Sequence, residues 1–383
     1  LHKVDASGIG GVFFTSSNEE IGSKFIVSNG NFTDFIQYSF NPASTFIMVE
    51  KNVEISIRDF LYNEGPTKIE FNNVYISNHF SKSPSIFFRS INFSKNDDTF
   101  ILQDHGEIII NNSHFHSFWS CIFSSDCIVN EIFGTNDIGL FDIGKESKLI
   151  ISNTTFDDFN TNGFRAQESS YIKISDSLFQ SSNICPLIMI DANKNNCLGH
   201  YEINNTEFNE LYGFEGSILY INEINNNTII TFNNSIFKNV VAINRGGIVY
   251  SESNSTNLYV SFNDCFFDNN YSYDGHISYS YSKQSEPYFS NIEELQKIEG
   301  AFSTNPTNLH YEIKCYLLDD YGNLCNSDYR FFDLDFLLLQ NQILYFNINV
   351  NDTYNAAIVG KSLSYCLNEE CVLPSIKSNM NNE

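Results

Sequence analysis

The sequence of 383 residues is poor in basic side chains, with 21 Lys and Arg against 46 Asp and Glu, and only five Arg. The resulting net charge of −25 argues against nucleic acid and anionic membrane surfaces as partners, because both need basic patches. The sequence also lacks a run of about eighteen apolar residues, so no transmembrane helix is predicted. We expect any membrane association to come only through segments outside this chain.

Tryptophan and proline are also scarce, whereas the chain has 36 Phe, 21 Tyr and 52 Asn. Asn is unfavourable inside helices and ordinary strands, but it tolerates the left-handed conformation of turns. A chain rich in both Asn and large apolar residues therefore predicts many short strands joined by many turns.

A repeated pattern, apolar-x-apolar-x-[Asn/Asp]-x-x-Phe, runs through most of the chain. Its Asn or Asp positions are Asn29, Asn112, Asn153, Asp176, Asn205, Asn234 and Asp264. Its Phe positions are Phe32, Phe115, Phe156, Phe179, Phe208, Phe237 and Phe267. The later copies are about thirty residues apart, which is typical of solenoid repeats.

The pattern fits one coil of a parallel β-helix. The alternating apolar residues form a strand, the Asn or Asp takes a left-handed turn, and the Phe points back into the core. A second strand that begins with glycine precedes several copies, as at Gly216 and at Gly246-Gly247, and we interpret these glycines as corner residues. We predict an all-β chain with a parallel β-helix over residues 1–282. Residues 283–383 are predicted to form a smaller β-rich domain, sandwich-like or capping.

Nine cysteines include four pairs that are close in sequence. We predict four disulfides, which would suit an extracellular protein. They would join Cys121 to Cys127, Cys185 to Cys197, Cys315 to Cys325 and Cys366 to Cys371. Cys265 is left over. Buried free thiols in an intracellular chain are the alternative.

The glycine strands Gly10-Gly11-Val12 and Gly246-Gly247-Ile248, together with Phe-x-x-Asn turns such as Phe267 to Asn270, resemble two groups of proteins. These are the polymorphic outer membrane proteins of chlamydiae and the similar β-helical surface proteins of trichomonad protists. The resemblance covers about residues 1–280. It implies a right-handed coil, and with the general chain preference it is the basis for that handedness. It also implies surface display and adhesion to host or neighbouring cells through a protein or carbohydrate ligand, without catalysis.

Other functions remain open. Many parallel β-helices are enzymes on acidic polysaccharides, so a pectin-type lyase or glycoside hydrolase is the alternative. Asp97-Asp98, Asp157-Asp158 and Asp319-Asp320 match one part of the pectin hydrolase pattern. We favour a solvated turn over an acid/base pair for Asp157-Asp158. No complete motif for either enzyme is present, and we predict no catalytic or cofactor-binding residues. A trimeric, tail-spike-like receptor binder is the third possibility. It would need long exposed apolar strips along one face.

Two further features bear on possible sites. His105, His114 and His116 lie close together, and we favour surface histidines in turns over a metal site, predicting neither a metal nor any other cofactor. Ten Asn-x-Ser/Thr sequons occur, about as many as chance gives in so Asn-rich a chain. Asn226 and Asn254 are the best glycosylation candidates. Together these features predict a non-catalytic extracellular or cell-surface protein with a structural or adhesive role.

Overall fold

Most of the described residues up to 282 belong to three long sheets. The computed structural model describes residues 2–6, 13–17, 24–37, 47–51, 68–81, 88–93, 100–102, 107–119, 141–143, 146–160, 163–166, 169–183, 186–190, 198–282, 288–289, 293, 315–316, 318–324, 344–347, 349, 356–359, 362–367, 370–372 and 377–380. Within these residues the single helix with defined bounds is Thr256–Tyr259. The all-β prediction is therefore confirmed.

Each sheet collects the same strand from successive repeats. Sheet 1 contains Lys24–Ser28, Lys68–Asn72, Glu107–Asn111, Lys148–Ser152, Tyr171–Ser175, His200–Asn204, Ile229–Asn233 and Val260–Asn263. Sheet 2 contains His2–Ala6, Asn31–Gln37, Tyr75–Ser81, His114–Trp119, Thr155–Asn160, Leu178–Asn183, Glu207–Glu215, Ile236–Lys238, Val241–Arg245, Phe266–Asp268 and Tyr271–Asp274. Sheet 3 contains Phe13–Ser17, Ile47–Lys51, Phe88–Phe93, Phe100–Leu102, Phe141–Ile143, Phe164–Ala166, Ile188–Ile190, Leu219–Ile221, Val249–Ser251 and Ser278–Ser280.

The described chain visits sheets 3, 1 and 2 in turn, and neighbouring strands pair in parallel with equivalent repeat positions in register. Phe100–Leu102, which is antiparallel to Phe88–Phe93, is an exception. This cyclic order of stacked parallel strands is compatible with a parallel β-helix.

Alternation of apolar residues fills the space between the sheets. In Glu107–Asn111, Ile108 and Ile110 are buried while their neighbours are partly exposed. Directly after the turn, the Phe of each repeat continues the core. Phe115, Phe156 and Phe179 stack with ring centroids 4.8 and 4.9 Å apart. This spacing follows from the distance between hydrogen-bonded strands, about 4.8 Å.

Between sheets 1 and 2 the chain turns through one residue in the left-handed conformation. The residues with positive φ at this turn are Asn29, Asn73, Asn112, Asn153, Asp176, Asn205, Asn234 and Asp264. Their side chains form hydrogen bonds from coil to coil; the amide of Asn153, for example, donates to Asn112 Oδ1 at 2.8 Å. The turn therefore needs a residue that tolerates positive φ; Asn can both donate and accept there, whereas Asp176 only accepts, from the amide of Asn205.

A buried hydroxyl follows five of these eight turns, at a position that the sequence pattern does not specify. This column consists of Ser113, Thr154, Ser177, Thr206 and Ser235, and each hydroxyl donates to the carbonyl two residues earlier. Cys265 occupies the same position in the last coil, where its Sγ lies 3.5 Å from Asn263 O. The cysteine that has no partner in sequence therefore replaces a turn hydroxyl, and it is a free thiol.

Glycines occupy the corner before the last three strands of sheet 3. Gly216, Gly246 and Gly275 all have positive φ. A Cβ on Gly246 would lie 2.0 Å from Val249 O, and one on Gly247 would lie 2.1 Å from His276 O. At these positions the close approach of backbone leaves no room for a side chain.

After residue 282 the described pairings become antiparallel. They join Tyr288–Phe289 to Cys315–Tyr316, Leu363–Leu367 to both Leu344–Asn347 and Glu370–Val372, and Ala356–Val359 to Lys377–Met380. The 283–383 domain itself stays a prediction. Among the described residues, no helix is long and apolar enough to cross a membrane.

The turn around Asp319 to Asn323 covers the end of the last coil. Tyr321 packs edge-on against Phe262, with ring centroids 5.0 Å apart, and its hydroxyl donates to Val260 O at 3.3 Å. Asp320 accepts hydrogen bonds from the hydroxyls of three serines in the last coil, Ser278, Ser280 and Ser282. Asp319 instead accepts from the backbone N–H groups of Tyr321 and Asn323, closing the turn. Asp319-Asp320 is therefore structural and does not form a facing acid/base pair.

The four predicted disulfides are not seen in the part of the chain that the structure describes. Cys366 and Cys371 are direct partners across a hairpin, and Cys315 lies on the strand Cys315–Tyr316. The cysteines that fall outside the described residues are Cys121, Cys127, Cys185, Cys197 and Cys325. The prediction of disulfides thus gains no support from the structure, and all four pairings stay predictions.

Candidate functional site

Two histidines project from the outer surface of sheet 2. His114 and His116 are two residues apart on the strand His114–Trp119, so both lie on the face opposite the buried Phe115. Their side chains are 41% and 39% exposed. They are therefore surface histidines, as predicted, but they lie on a strand and not in a turn.

The next coil adds a carboxylate to these imidazoles. Asp157 is the register partner of His116 on the parallel strand Thr155–Asn160. Its Oδ1 lies 2.9 Å from His114 Nε2 and 3.0 Å from His116 Nδ1. One oxygen therefore contacts a nitrogen of both rings, and one ligand atom from each residue lies within 4.8 Å of the other two.

The two contacts differ in quality. His114 Nε2 and Asp157 Oδ1 form a hydrogen bond. His116 Nδ1 is buried and, although close to the same oxygen, it makes no hydrogen bond within the described structure. A short distance without hydrogen-bond geometry leaves that nitrogen unsatisfied.

The surroundings hold the group in place. The Tyr75 ring contacts His114 edge-on, with centroids 5.2 Å apart. His114 also lines an open groove of about 370 Å³, whose other walls come from the turns between sheets 1 and 2. Asp158 points to a different partner, since its carboxylate accepts a hydrogen bond from Ser117. Asp157 and Asp158 are therefore not a catalytic pair that shares one partner.

Asp157 is the member of this group that sequence reasoning missed. His105 lies outside the described residues. The signal was nevertheless present, since His116 and Asp157 each directly follow the repeat Phe, at Phe115 and Phe156. Equivalent positions of neighbouring repeats become neighbours in space, so an alignment of the repeats would have paired them.

A second charged group lies at the edge of sheet 2 in the last coils. Arg245 has Glu215 and Asp274 as its register partners on the two neighbouring coils. Its guanidinium carbon lies 4.9 Å from the centre of the Tyr279 ring. The amide of Asn244 donates to Glu215 Oε1 at 2.6 Å. A cation between two carboxylates on stacked strands is a favourable column.

Burial decides how this second group behaves. It raises the pKa of Glu215 above its usual range, against the opposing effects of Asn244 and Arg245. Burial alone would lower the pKa of Arg245, but Tyr279, Asp274, Tyr250 and Glu215 together outweigh it and raise that pKa. Burial also raises the pKa of Tyr250. This tyrosine therefore stays a phenol at neutral pH and is a poor base.

The two glycosylation candidates lie in exposed turns. Asn226 and Asn254 are both exposed. By contrast, Asn204 and Asn233 belong to a ladder within sheet 1, where the Asn233 amide donates to Asn204 Oδ1 at 2.8 Å. The sequons on sheet 1 thus arise from the repeat, whereas Asn226 and Asn254 do not belong to it.

Comparison of the chain with protein-family models, with curated proteins and with solved structures finds no match.

Proposed function

We propose that the chain is a non-catalytic structural and adhesive protein, displayed at the cell surface or secreted. In this proposal its coils form a right-handed parallel β-helix related to the chlamydial and trichomonad surface proteins. The right hand is the general preference of parallel strand crossovers. The ligand is a protein or a carbohydrate on a host or neighbouring cell.

The outer surface of sheet 2 is the observation that carries the proposal. One outward column, in register through six coils, consists of His116, Asp157, Gln180, Asn209, Lys238 and Asp268. Its members differ from coil to coil, while the Phe residues beside them are constant. A long face with variable polar side chains on a constant frame is typical of the binding surfaces of solenoid proteins.

The same face bears on the tail-spike-like alternative. The second outward column mixes apolar Tyr75, Leu178, Ile236 and Phe266 with polar His114, Thr155 and Glu207. Apolar and polar side chains thus interrupt one another, whereas an obligate trimer buries a continuous apolar strip. Sheet 2 therefore supports a solvated binding face.

The test combines location with adhesion. Antibodies to the purified chain should label intact, unpermeabilised source cells, and beads coated with the chain should bind host or neighbouring cells. A variant with Gln180→Ala, Asn209→Ala and Lys238→Ala should bind several-fold less while its circular dichroism and melting temperature stay unchanged. Labelling only after permeabilisation, or equal binding by coated and uncoated beads, would refute the proposal.

The group around Arg245 favours one second candidate, an enzyme on acidic polysaccharides. Glu215, whose pKa is raised by burial, could act as a general acid, and Arg245 could bind a uronate carboxylate. If so, the chain would cleave polygalacturonate or another uronate polymer, and Glu215→Gln and Arg245→Gln would each abolish the activity. Asp157→Asn is the matched control and should leave it unchanged. If neither polygalacturonate nor any other uronate polymer tested is cleaved, the enzyme hypothesis is wrong and the adhesive role remains.

A further inference from the structure

We propose that His114, His116 and Asp157 form a binding site for a divalent transition-metal ion, with Zn²⁺ as the best fit. This site goes beyond the adhesive role and does not depend on it. It rests on the positions of three side chains from two neighbouring coils.

The spacing of the ligand atoms is close to what a tetrahedral ion needs. Zinc binds imidazole nitrogen and carboxylate oxygen at about 2.0–2.2 Å, so ligand atoms around it are roughly 3.3 Å apart. Asp157 Oδ1 already lies 2.9 Å from His114 Nε2 and 3.0 Å from His116 Nδ1. These two distances need to change by only a few tenths of an ångström, and the third, between the two imidazole nitrogens, is within 4.8 Å. Changes of this size are within the freedom of side chains on a surface.

The unsatisfied nitrogen supplies a separate reason. His116 Nδ1 is buried, yet it makes no hydrogen bond among the described residues. An ion between the rings would accept its lone pair. The strand pairing fixes the backbone positions of all three residues, so binding requires little ordering of the chain.

The donor set selects the class of metal. Two imidazole nitrogens and one carboxylate oxygen suit zinc and its first-row neighbours, whereas Ca²⁺ and Mg²⁺ prefer oxygen ligands alone. Three protein ligands leave a fourth position open to water or to an outside ligand. His114 lies on the wall of the groove, so an outside ligand in that groove could approach the ion.

Titration of the full chain with ZnCl₂ and CoCl₂ tests the site. We expect one ion per chain and a rise in melting temperature with added Zn²⁺. His114→Gln and Asp157→Asn should each weaken binding by at least tenfold. Both variants should melt like the wild type without metal, since they change side chains on the outer surface and preserve size. His200→Gln, which removes an exposed histidine on sheet 1, is the matched control and should bind like the wild type.

The Co²⁺ spectrum separates this site from cysteine ligation. Nitrogen and oxygen ligands give d–d bands without the strong near-ultraviolet charge-transfer band of cobalt thiolates. Weak d–d bands that disappear in both site variants support the proposal. A thiolate band, equal Zn²⁺ affinity of the wild type and both site variants, or binding of Ca²⁺ in preference to Zn²⁺ would overturn it.

Discussion

The two sides of sheet 2 follow opposite rules. Inside, the repeat Phe recurs coil after coil, and the rings of Phe179, Phe208 and Phe237 stack 5.6 and 5.0 Å apart. Outside, the next residue along each strand changes from Gln180 to Asn209 to Lys238. The difference shows that each position is constrained by its equivalent in the next coil, since stacking places the two side chains next to each other.

The physical reason is that an in-register parallel stack places each residue against its equivalents. Identical aromatic rings gain by stacking, about 0.5–1.5 kcal/mol per pair beyond burial. Identical charges directly opposite one another are destabilising. Charged neighbours in the outer column must therefore differ in sign, as Lys238 and Asp268 do.

Asparagine is the polar residue that can repeat without this penalty. Its amide both donates and accepts, so a column of equivalent residues forms a chain of hydrogen bonds. Asn263 donates to Asn233 Oδ1, and Asn233 donates to Asn204 Oδ1, each at 2.8 Å. The asparagine content of the sequence is thus partly a consequence of the fold.

Removing one ring from the inner column should have the largest effect. Phe237 is fully buried between Phe208 and Phe267, with ring centroids 5.0 and 5.1 Å away. We expect Phe237→Ala to lower the free energy of unfolding by about 3–5 kcal/mol, because it leaves a cavity that the neighbouring coils cannot fill. Urea denaturation followed by circular dichroism measures this loss.

The control for that variant is Phe237→Leu, which keeps an apolar side chain and should lose less. A loss below about 1 kcal/mol for Phe237→Ala would show that the column is loosely packed. The claim that the inner side of the sheet is more tightly constrained than the outer side would then be wrong.

A corner substitution should have the next largest effect. Gly246 has φ +59°, and a Cβ there would lie 2.0 Å from Val249 O. A left-handed residue other than glycine costs roughly 1–2 kcal/mol, and the clash adds about 1–3 kcal/mol. We expect Gly246→Ala to incur both costs.

Gly322→Ala separates these two contributions. Gly322 also has positive φ, +81°, but a Cβ added there would meet no heavy atom within 4 Å. It should therefore incur only the conformational cost. If urea denaturation gives the same loss of unfolding free energy for both variants, the stacked coils shift at the corner and make room for the Cβ.

The sequence predicted the inner side of the molecule far better than the outer side. A repeating residue such as Phe156 is visible as a pattern because every coil demands the same residue. The turn hydroxyls were missed because the position is Ser in some coils, Thr in others and Cys265 in the last. No single residue type recurs there, so the shared role does not show as a repeat. The group of His116 and Asp157 was missed because it depends on register between coils, which only the repeat alignment or the structure supplies.

The smallest effect should come from the outer residue next to Phe237. Lys238 Nζ lies 3.5 Å from Glu207 Oε1, and both side chains are more than a third exposed. Exposed ion pairs contribute about 0–1 kcal/mol, because water screens the charges and two long side chains lose freedom. We therefore expect Lys238→Ala to change the free energy of unfolding by less than about 1 kcal/mol, and less still in roughly 1 M salt.

A double-mutant cycle with Glu207→Ala isolates the pair; a coupling above about 2 kcal/mol would mean that the outer face also specifies the fold. A small coupling instead explains how the outer face can vary from coil to coil, since its residues are free to serve binding while the adjacent Phe column holds the coils together.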